Sequence, residues 1–187
     1  MSIGLVTELR AALADDRVLT QPLELALYAR DASVMEGKAA VVCFPTTTEE
    51  IQSCARIAAA HGRAVVPRGS GTGLAGGAVP VADLEPVVVV TTKMTRILEV
   101  DPEERVAWVE PGVLNLDLSR AVAHLGLHFA PDPSSQQSCS IGGNVATNSG
   151  GPHCLLYGVT SAHVLAVEVV LPNGEVAMLG GLDPEPE

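Results

Sequence analysis

The stretch Pro67-Arg68-Gly69-Ser70-Gly71-Thr72-Gly73-Leu74-Ala75-Gly76-Gly77 constrains this chain more than any other. Five glycines fall within the nine positions from Gly69 to Gly77, so the stretch forms no helix or strand of its own. Glycine opens backbone angles closed to other residues and lets a ligand approach the main chain. Successive exposed N–H groups in such a loop make a concave anion site. Arg68 at its edge adds a forked cation suited to phosphate. The loop reads as a cradle for a pyrophosphate.

A net charge of −11 sharpens that reading. An acidic surface disfavours nucleic acid or an anionic membrane as partner. An anionic ligand must then be held by local N–H groups and a few arginines. Hydrophobic residues make up 47% of the chain but aromatics only 3%, so Val, Ala and Leu must build the core. No apolar run approaches a membrane span, and Met1 to Asp16 reads as an amphipathic helix instead of a signal peptide. Cys43, Cys54, Cys139 and Cys154 lie far apart and read as small buried hydrophobes in a reducing cytoplasm, with no metal set.

The chain then falls into two patterns. Ile3, Leu5, Val6, Leu9 and Leu13 share one helix face. A second helix is expected from Pro22 to Ala29. Ala39 to Phe44 reads as a buried strand ended by Pro45. Thr47 and Glu50 have capping-box spacing for a helix that stops at Gly62. Ala64 to Val66 is a strand that delivers the chain into the glycine loop, and Val87 to Val90 is a third. This is a small, mostly parallel βαβ lobe, assigned to residues 1–93.

From residue 94 to 187 the pattern turns antiparallel. Ile97–Val100 and Val106–Val109 flank a hairpin turn. A helix from Leu116 to Leu125 follows, with Asn115 as cap and Gly126 as stop. Val164–Leu171 and Glu175–Leu179 flank Asn173-Gly174, a hairpin signal. Between helix and hairpin, Pro131-Asp132-Pro133-Ser134-Ser135 is rigid and polar. The segment from Ser138 to Gly150, rich in glycine, serine and asparagine, reads as an ordered loop wrapping a ligand.

Two familiar phosphate motifs are excluded. Gly71-x-Gly73-x-x-Gly76 formally matches the dinucleotide fingerprint, but no helix opens after it. No Lys-Ser/Thr pair follows the glycines, so the NTPase loop is absent as well.

Four segments carry a resemblance: Pro67–Gly77, Pro131–Ser135, Cys139–Asn144 and Gly150–Gly158. Their order and spacing resemble the FAD-linked oxidases of the vanillyl-alcohol oxidase, or PCMH, type. Within these the pattern is most similar to the flavin subunit of glycolate oxidase and to the D-lactate and D-2-hydroxyglutarate dehydrogenases. The resemblance runs from about Leu27 to Gly181. It implies an α+β fold of two lobes, the second a mainly antiparallel sheet with flanking helices. It also implies that main-chain N–H groups of Arg68, Gly69, Ser70, Gly71, Thr72 and Gly73 hold the FAD pyrophosphate. Pro131, Asp132, Ser135, Ile141, Gly142, Gly143, Asn144, Thr147 and Ser149 would line the rest of the flavin, with Gly158 and Val164 toward the adenine half. Thr72 stands where some members of the superfamily carry a flavin-linking histidine, so the FAD is expected to be non-covalent.

The family continues into a further FAD-contacting segment and a substrate domain that supplies the catalytic residues. This sequence ends at Glu187, and the resemblance implies an FAD module without its cap. Turnover would need that substrate domain or a partner redox subunit such as an iron–sulfur protein. Flavin carries the hydride chemistry in such modules, and the protein positions it. Three readings stand at this point: the FAD-binding part of a 2-hydroxy-acid oxidoreductase, a non-catalytic flavin-binding or assembly subunit, and a phosphate-binding protein without redox chemistry. Of the histidines, His61 and His124 read as structural, and His128 and His153 lie close enough to the ligand loops to reach a flavin. No Ser-His-Asp or metal-ligand set is present. Arg63 reads as a surface residue able to assist the phosphates, and Tyr157 as a core residue able to stack on a ring.

Overall fold

The computed structural model describes residues 3–181. Its first half is a four-stranded sheet in the order β1 (Val18–Leu19), β2 (Val41–Cys43), β4 (Val87–Val90) and β3 (Val65–Arg68). The strands β2 and β3 both run parallel to β4, and β1 closes the edge antiparallel to β2. Four successive valines make β4, like β2 beside it, a fully buried strand, none more than 3% exposed. Their alternation explains why. Val87 and Val89 join Val41 and Cys43 under α1 (Ile3–Ala12) and α3 (Thr48–Ala60), while Val88 and Val90 join Val42, Ala39 and Phe44 on the other face. A strand buried on both faces needs such an unbroken apolar run.

The helices follow their sequence signals with specific departures. In α1 the residues Leu5, Val6 and Leu9, with Leu13 just beyond, are buried, but Ile3 is 86% exposed. At 100° per residue Ile3 falls about 60° outside the arc of the others. The second helix, α2, is shorter than expected, Pro22–Ala26. Thr47 caps α3 through its Oγ1, which accepts the Glu50 N–H at 3.3 Å. The Glu50 carboxylate does not complete the capping box. It accepts the Thr46 N–H (2.7 Å) and a fork from Arg17, whose Nη2 lies 2.6 Å away. Gly62, at φ 63°, ends the helix.

The second half holds two separate antiparallel ladders. The strands β5 (Ile97–Asp101) and β6 (Val106–Val109) pair with a register shift between Ile97 and Glu99. The helix α4 (Asn115–Val122) continues as a single 3₁₀ turn to Leu125, and Gly126 at φ 72° stops it. A third core of Val113, Leu118, Val122 and Ile141 fills the space against β5 and β6, with Phe129 and Val145 beside it. The last hairpin, β7 (Ala166–Val170) and β8 (Val176–Gly180), turns at Asn173-Gly174 as expected. Only Gly174 takes a positive φ there. That turn returns to the first half: Gln52 Nε2 and Arg56 Nη2 of α3 each donate to the Gly174 carbonyl at 2.7 Å. Thr48 Oγ1 donates to Glu168 at 2.8 Å. Of the cysteines, Cys43, Cys54 and Cys139 are buried as expected, but Cys154 is exposed.

The Arg17–Glu50 fork ties the β1 edge to the start of α3. Hydrogen bonding from Arg17 is the largest influence on Glu50 and, with Thr46, holds its pKa at about 2 against the cost of burial. The stabilisation is complete above the ordinary carboxylate pKa and is lost as pH falls through about 2. E50Q should therefore cost about 2 kcal/mol near neutrality and remove the share of the acid dependence of stability below pH about 4.5 that Glu50 contributes. Urea unfolding of both proteins across that pH range is the check, and parallel curves would contradict it.

Candidate functional site

The glycine loop leaves the C-terminal end of β3, beside Val90 of β4. Ligands of open α/β sheets bind at this edge. Among the described residues, the N–H groups of Gly69, Ser70, Gly71, Thr72 and Gly73 find no protein acceptor. A run of main-chain donors left without partners calls for an anion or water. The loop is held from its outer side by the segment after α2: the Ala32 N–H donates to the Gly73 carbonyl (3.1 Å), and Met35 sulfur abuts Gly76.

The segment expected to be a wrapping loop is in fact a helix, α5 (Ile141–Thr147). Ser140 caps it, its Oγ accepting the Gly143 N–H at 3.4 Å, and Asn148 ends it at φ 49°. Composition concealed the helix because two glycines occupy its first turn. Gly142 is required by contact. A Cβ at Gly142 would sit 2.6 Å from Pro111 Cβ, and the Gly142 N–H donates to the Pro111 carbonyl at 2.8 Å. The lost helix propensity, about 1 kcal/mol per glycine, is offset by Ile141 and Val145 entering the third core.

This helix brings the two unusual stretches of the sequence together. A methyl group at Gly69 would overlap Ser140 Oγ and lie 3.7 Å from Gly143 Cα. The glycine loop thus rests directly on the cap of α5. The N–H groups of Ile141, Gly142 and Gly143 are spent on Val113, Pro111 and Ser140, so α5 contributes no free donors there. Asn144, 2% exposed, carries an Nδ2 with no partner. Thr147 Oγ1 donates to the Gly143 carbonyl (2.9 Å) and lies 3.0 Å from Ser149 Oγ. The Ser149 carbonyl in turn accepts Thr160 Oγ1 at 2.7 Å.

Two clefts flank α4. The first, about 440 Å³, runs from Ser70 past Thr92 and Thr95 to Gly112 and Asp117. The second, about 360 Å³, is lined by Ser119, His128, Asp132, Gln136, His153 and Tyr157. The Pro131–Ser135 segment therefore borders a different cleft from Ser70. Gly158 lies further out, in the turn after the short helix α6 (Cys154–Tyr157), at φ 81°. Asp132 Oδ2 meets His153 Nδ1 at 2.5 Å. Hydrogen bonding from His153 is the main reason that the Asp132 carboxyl lies below the usual range. His128 packs edge-on against Tyr157, which is exposed and does not enter the core. Arg63 is paired with Glu85 at 3.2 Å, away from the loop.

Two residues central to the site escaped the sequence reading. Asn115 is not a cap; Leu114 is. Fully buried, Asn115 donates from Nδ2 to the Pro131 carbonyl (2.9 Å), and its N–H donates to the Cys139 carbonyl (3.0 Å), so it pins both ends of the Pro131–Cys139 loop. The other is Asp31, under the glycine loop. Its only sequence signal was the polar turn Asp31-Ala32-Ser33, where Oδ1 accepts the Ser33 N–H at 2.8 Å. Arg68 itself is turned inward, 8% exposed, with Nη1 on the Ala78 carbonyl (3.2 Å). Its guanidinium does not reach out at the loop's edge as expected, because Tyr28 and Ala78 hold it beneath.

Residues 39–180 match the family model described as the FAD binding domain. The chain belongs to that family. This FAD-binding domain is 43% identical over 156 residues to the glycolate oxidase subunit GlcD of Bacillus subtilis (strain 168), covering 83% of the chain and 33% of that protein. It is 41% identical over 141 residues to the D-lactate dehydrogenase of Archaeoglobus fulgidus, covering 75% and 31%. The chain thus spans about a third of the length of the curated relatives it matches. Among solved structures, alkyldihydroxyacetonephosphate synthase shares the fold with a TM-score of 0.85 at 22% identity, over 97% of this chain and 34% of that one. The 4-ethylphenol oxidase of Gulosibacter chungangensis matches with a TM-score of 0.78 at 28% identity, over 98% and 36%. The α+β PCMH-type fold read from the sequence is the fold observed, a mixed, mainly parallel sheet with two small antiparallel ladders. The donor set suits a phosphate-bearing cofactor such as FAD: N–H groups without protein acceptors in the glycine loop, and a buried amide without a partner on α5. Among the described residues no His, Cys, Asp and Glu cluster suits a metal ion, and no helix is long and apolar enough to cross a membrane.

The Gly69–Ser140 contact yields a prediction. G69A should destabilise the fold by about 2 kcal/mol, because the added methyl must displace the cap of α5. In an S140A background the same substitution should cost clearly less, although S140A alone loses about 1 kcal/mol of capping. A double-mutant cycle by chemical denaturation measures this, and additive costs would rule the contact out.

Proposed function

We propose that this chain is the FAD-binding part of a 2-hydroxy-acid oxidoreductase of the glycolate oxidase or D-lactate dehydrogenase type. The observation that carries it is the row of unpaired N–H groups from Gly69 to Gly73, seated on the cap of α5. The similarity to GlcD and to D-lactate dehydrogenase supports the choice of substrate class. FAD, when bound, supplies the acceptor for a hydride from the carbon that bears the hydroxyl.

The residues of this chain hold and orient the cofactor. Gly69, Ser70, Gly71, Thr72 and Gly73 bind the pyrophosphate through their N–H groups. Asn144, Thr147 and Ser149 offer polar groups along α5 and its exit. Asn115 fixes the Pro131–Ser135 segment, and Asp132 is held by His153 beside the second cleft. Thr72 has no ring nitrogen for a flavin bond, which supports non-covalent attachment. The chain spans about a third of its relatives, and in this reading the groups that bind and deprotonate the hydroxy acid are assigned to a substrate domain or a partner redox subunit.

The purified chain should take up FAD at close to one per chain, with a flavin spectrum, and release it on acid precipitation. Anaerobic glycolate or D-lactate should then bleach that spectrum when the remaining polypeptide is supplied. If dithionite reduces the flavin and neither acid does, the chain is a flavin-holding assembly component instead. Absence of bound FAD would remove both readings.

A further inference from the structure

The glycine loop has a charged underside that the donor row does not explain. Arg68 is 8% exposed, and its guanidinium carbon lies 5.5 Å from the Tyr28 ring centroid. The space that a side chain at Gly71 would need is filled by this guanidinium, whose Nε lies 3.2 Å from the Cβ position. Gly71 is the middle of the unpaired donor row, so the cation sits directly behind it. The half-buried arginines Arg17 and Arg63 are paired with carboxylates, Glu50 and Glu85, and the exposed Arg96 is forked onto Glu110. Among the described residues, no carboxylate comes within salt-bridging distance of Arg68, which spends one donor on Ala78. Asp31 is the acidic group that acts on it, and only through its charge.

An incompletely paired buried cation is costly. Burial lowers the pKa of Arg68, and the charge of Asp31 opposes that. Asp31 is itself shielded. Burial works against its ionisation, yet hydrogen bonds from Ser33 and the charge of Arg68 hold its carboxyl below the usual range. Its Oδ2 is buried without a hydrogen-bond partner. Beneath the donor row there is therefore a cation only partly balanced by one carboxylate. A dianionic ligand above the row completes that balance at short range, across a thin layer of main chain.

We propose that Arg68 is an internal counter-charge for the pyrophosphate, acting from behind Gly71 without touching it, and that Asp31 sets how much of that charge the ligand feels. Both are positioning residues of the cofactor site. The inference rests on the reading of the loop as the FAD pyrophosphate cradle.

The test is a titration of the FAD-free chain with FAD, and in parallel with riboflavin, which lacks the pyrophosphate. R68M should weaken FAD about tenfold or more, and R68K, which keeps the charge, less than about threefold. D31N keeps the shape and removes the opposing charge, so it should tighten FAD by about threefold. Riboflavin affinity should be unmoved by all three. A purely architectural role predicts the reverse sign for D31N, since losing the Asp31 charge would loosen the loop for every ligand. Weaker FAD binding in D31N, or an unchanged R68M, overturns the proposal. If R68M does not fold, as judged by ligand-free unfolding curves, D31N and R68K decide by themselves. If the unaltered chain takes no FAD, the functional reading fails first and this inference falls with it.

Discussion

The structure depends on one place where the glycine loop meets the cap of α5 with only the Ser140 hydroxyl between the two main chains. Gly69 lies against Ser140 and Gly143, and nothing larger than hydrogen fits there. On one side is the sheet whose central strand, Val87–Val90, has its two faces covered by different sets of residues. On the other is α5, fixed into the third core by Ile141 and Val145. The donor row has a defined position because both flanks are rigid. A nearby joint strengthens it: the Gly112 N–H donates to the Met94 carbonyl at 2.8 Å, and Arg96 forks onto the buried Glu110. Burial raises the pKa of Glu110, but the hydrogen bonds and charge of Arg96 more than reverse it, leaving the carboxyl below its usual range.

On the proposed reading of the glycine loop, electrostatics explain how an acidic chain presents an anion site. With a net charge of −11, the long-range field repels a pyrophosphate. The site answers with short-range groups that cost no reorganisation: neutral N–H donors in front and a buried cation behind. Arg17, Arg63 and Arg96 are committed to Glu50, Glu85 and Glu110 and are not available to the ligand. Preorganised dipoles in a shielded setting are worth far more than the same groups in water. That is why a few residues outweigh the sign of the whole surface.

Much of the framework was legible in the sequence. The apolar runs at Val41–Cys43 and Val87–Val90, the Thr47 cap, and the stops at Gly62 and Gly126 are local signals, and tertiary packing reinforced each of them. The misreadings share a cause. The helix α5 read as a loop because Gly142 and Gly143 serve Pro111 and Ser140, which lie elsewhere in the chain or across a turn. Asn115 read as a cap, though its side chain is claimed by Pro131. Arg68 read as a surface cation, though Tyr28 and Ala78 hold it inside.

By itself the sequence determined where the main chain must stay bare, which runs must be buried, and the family to which these belong. Such features depend on backbone freedom and on period, both carried within a few residues. Only the tertiary structure decided what each polar side chain does. A hydrogen bond or buried charge depends on which distant group arrives opposite it, and that pairing is fixed only when the β3–β4 edge, the end of α2 and the cap of α5 come together around Gly69.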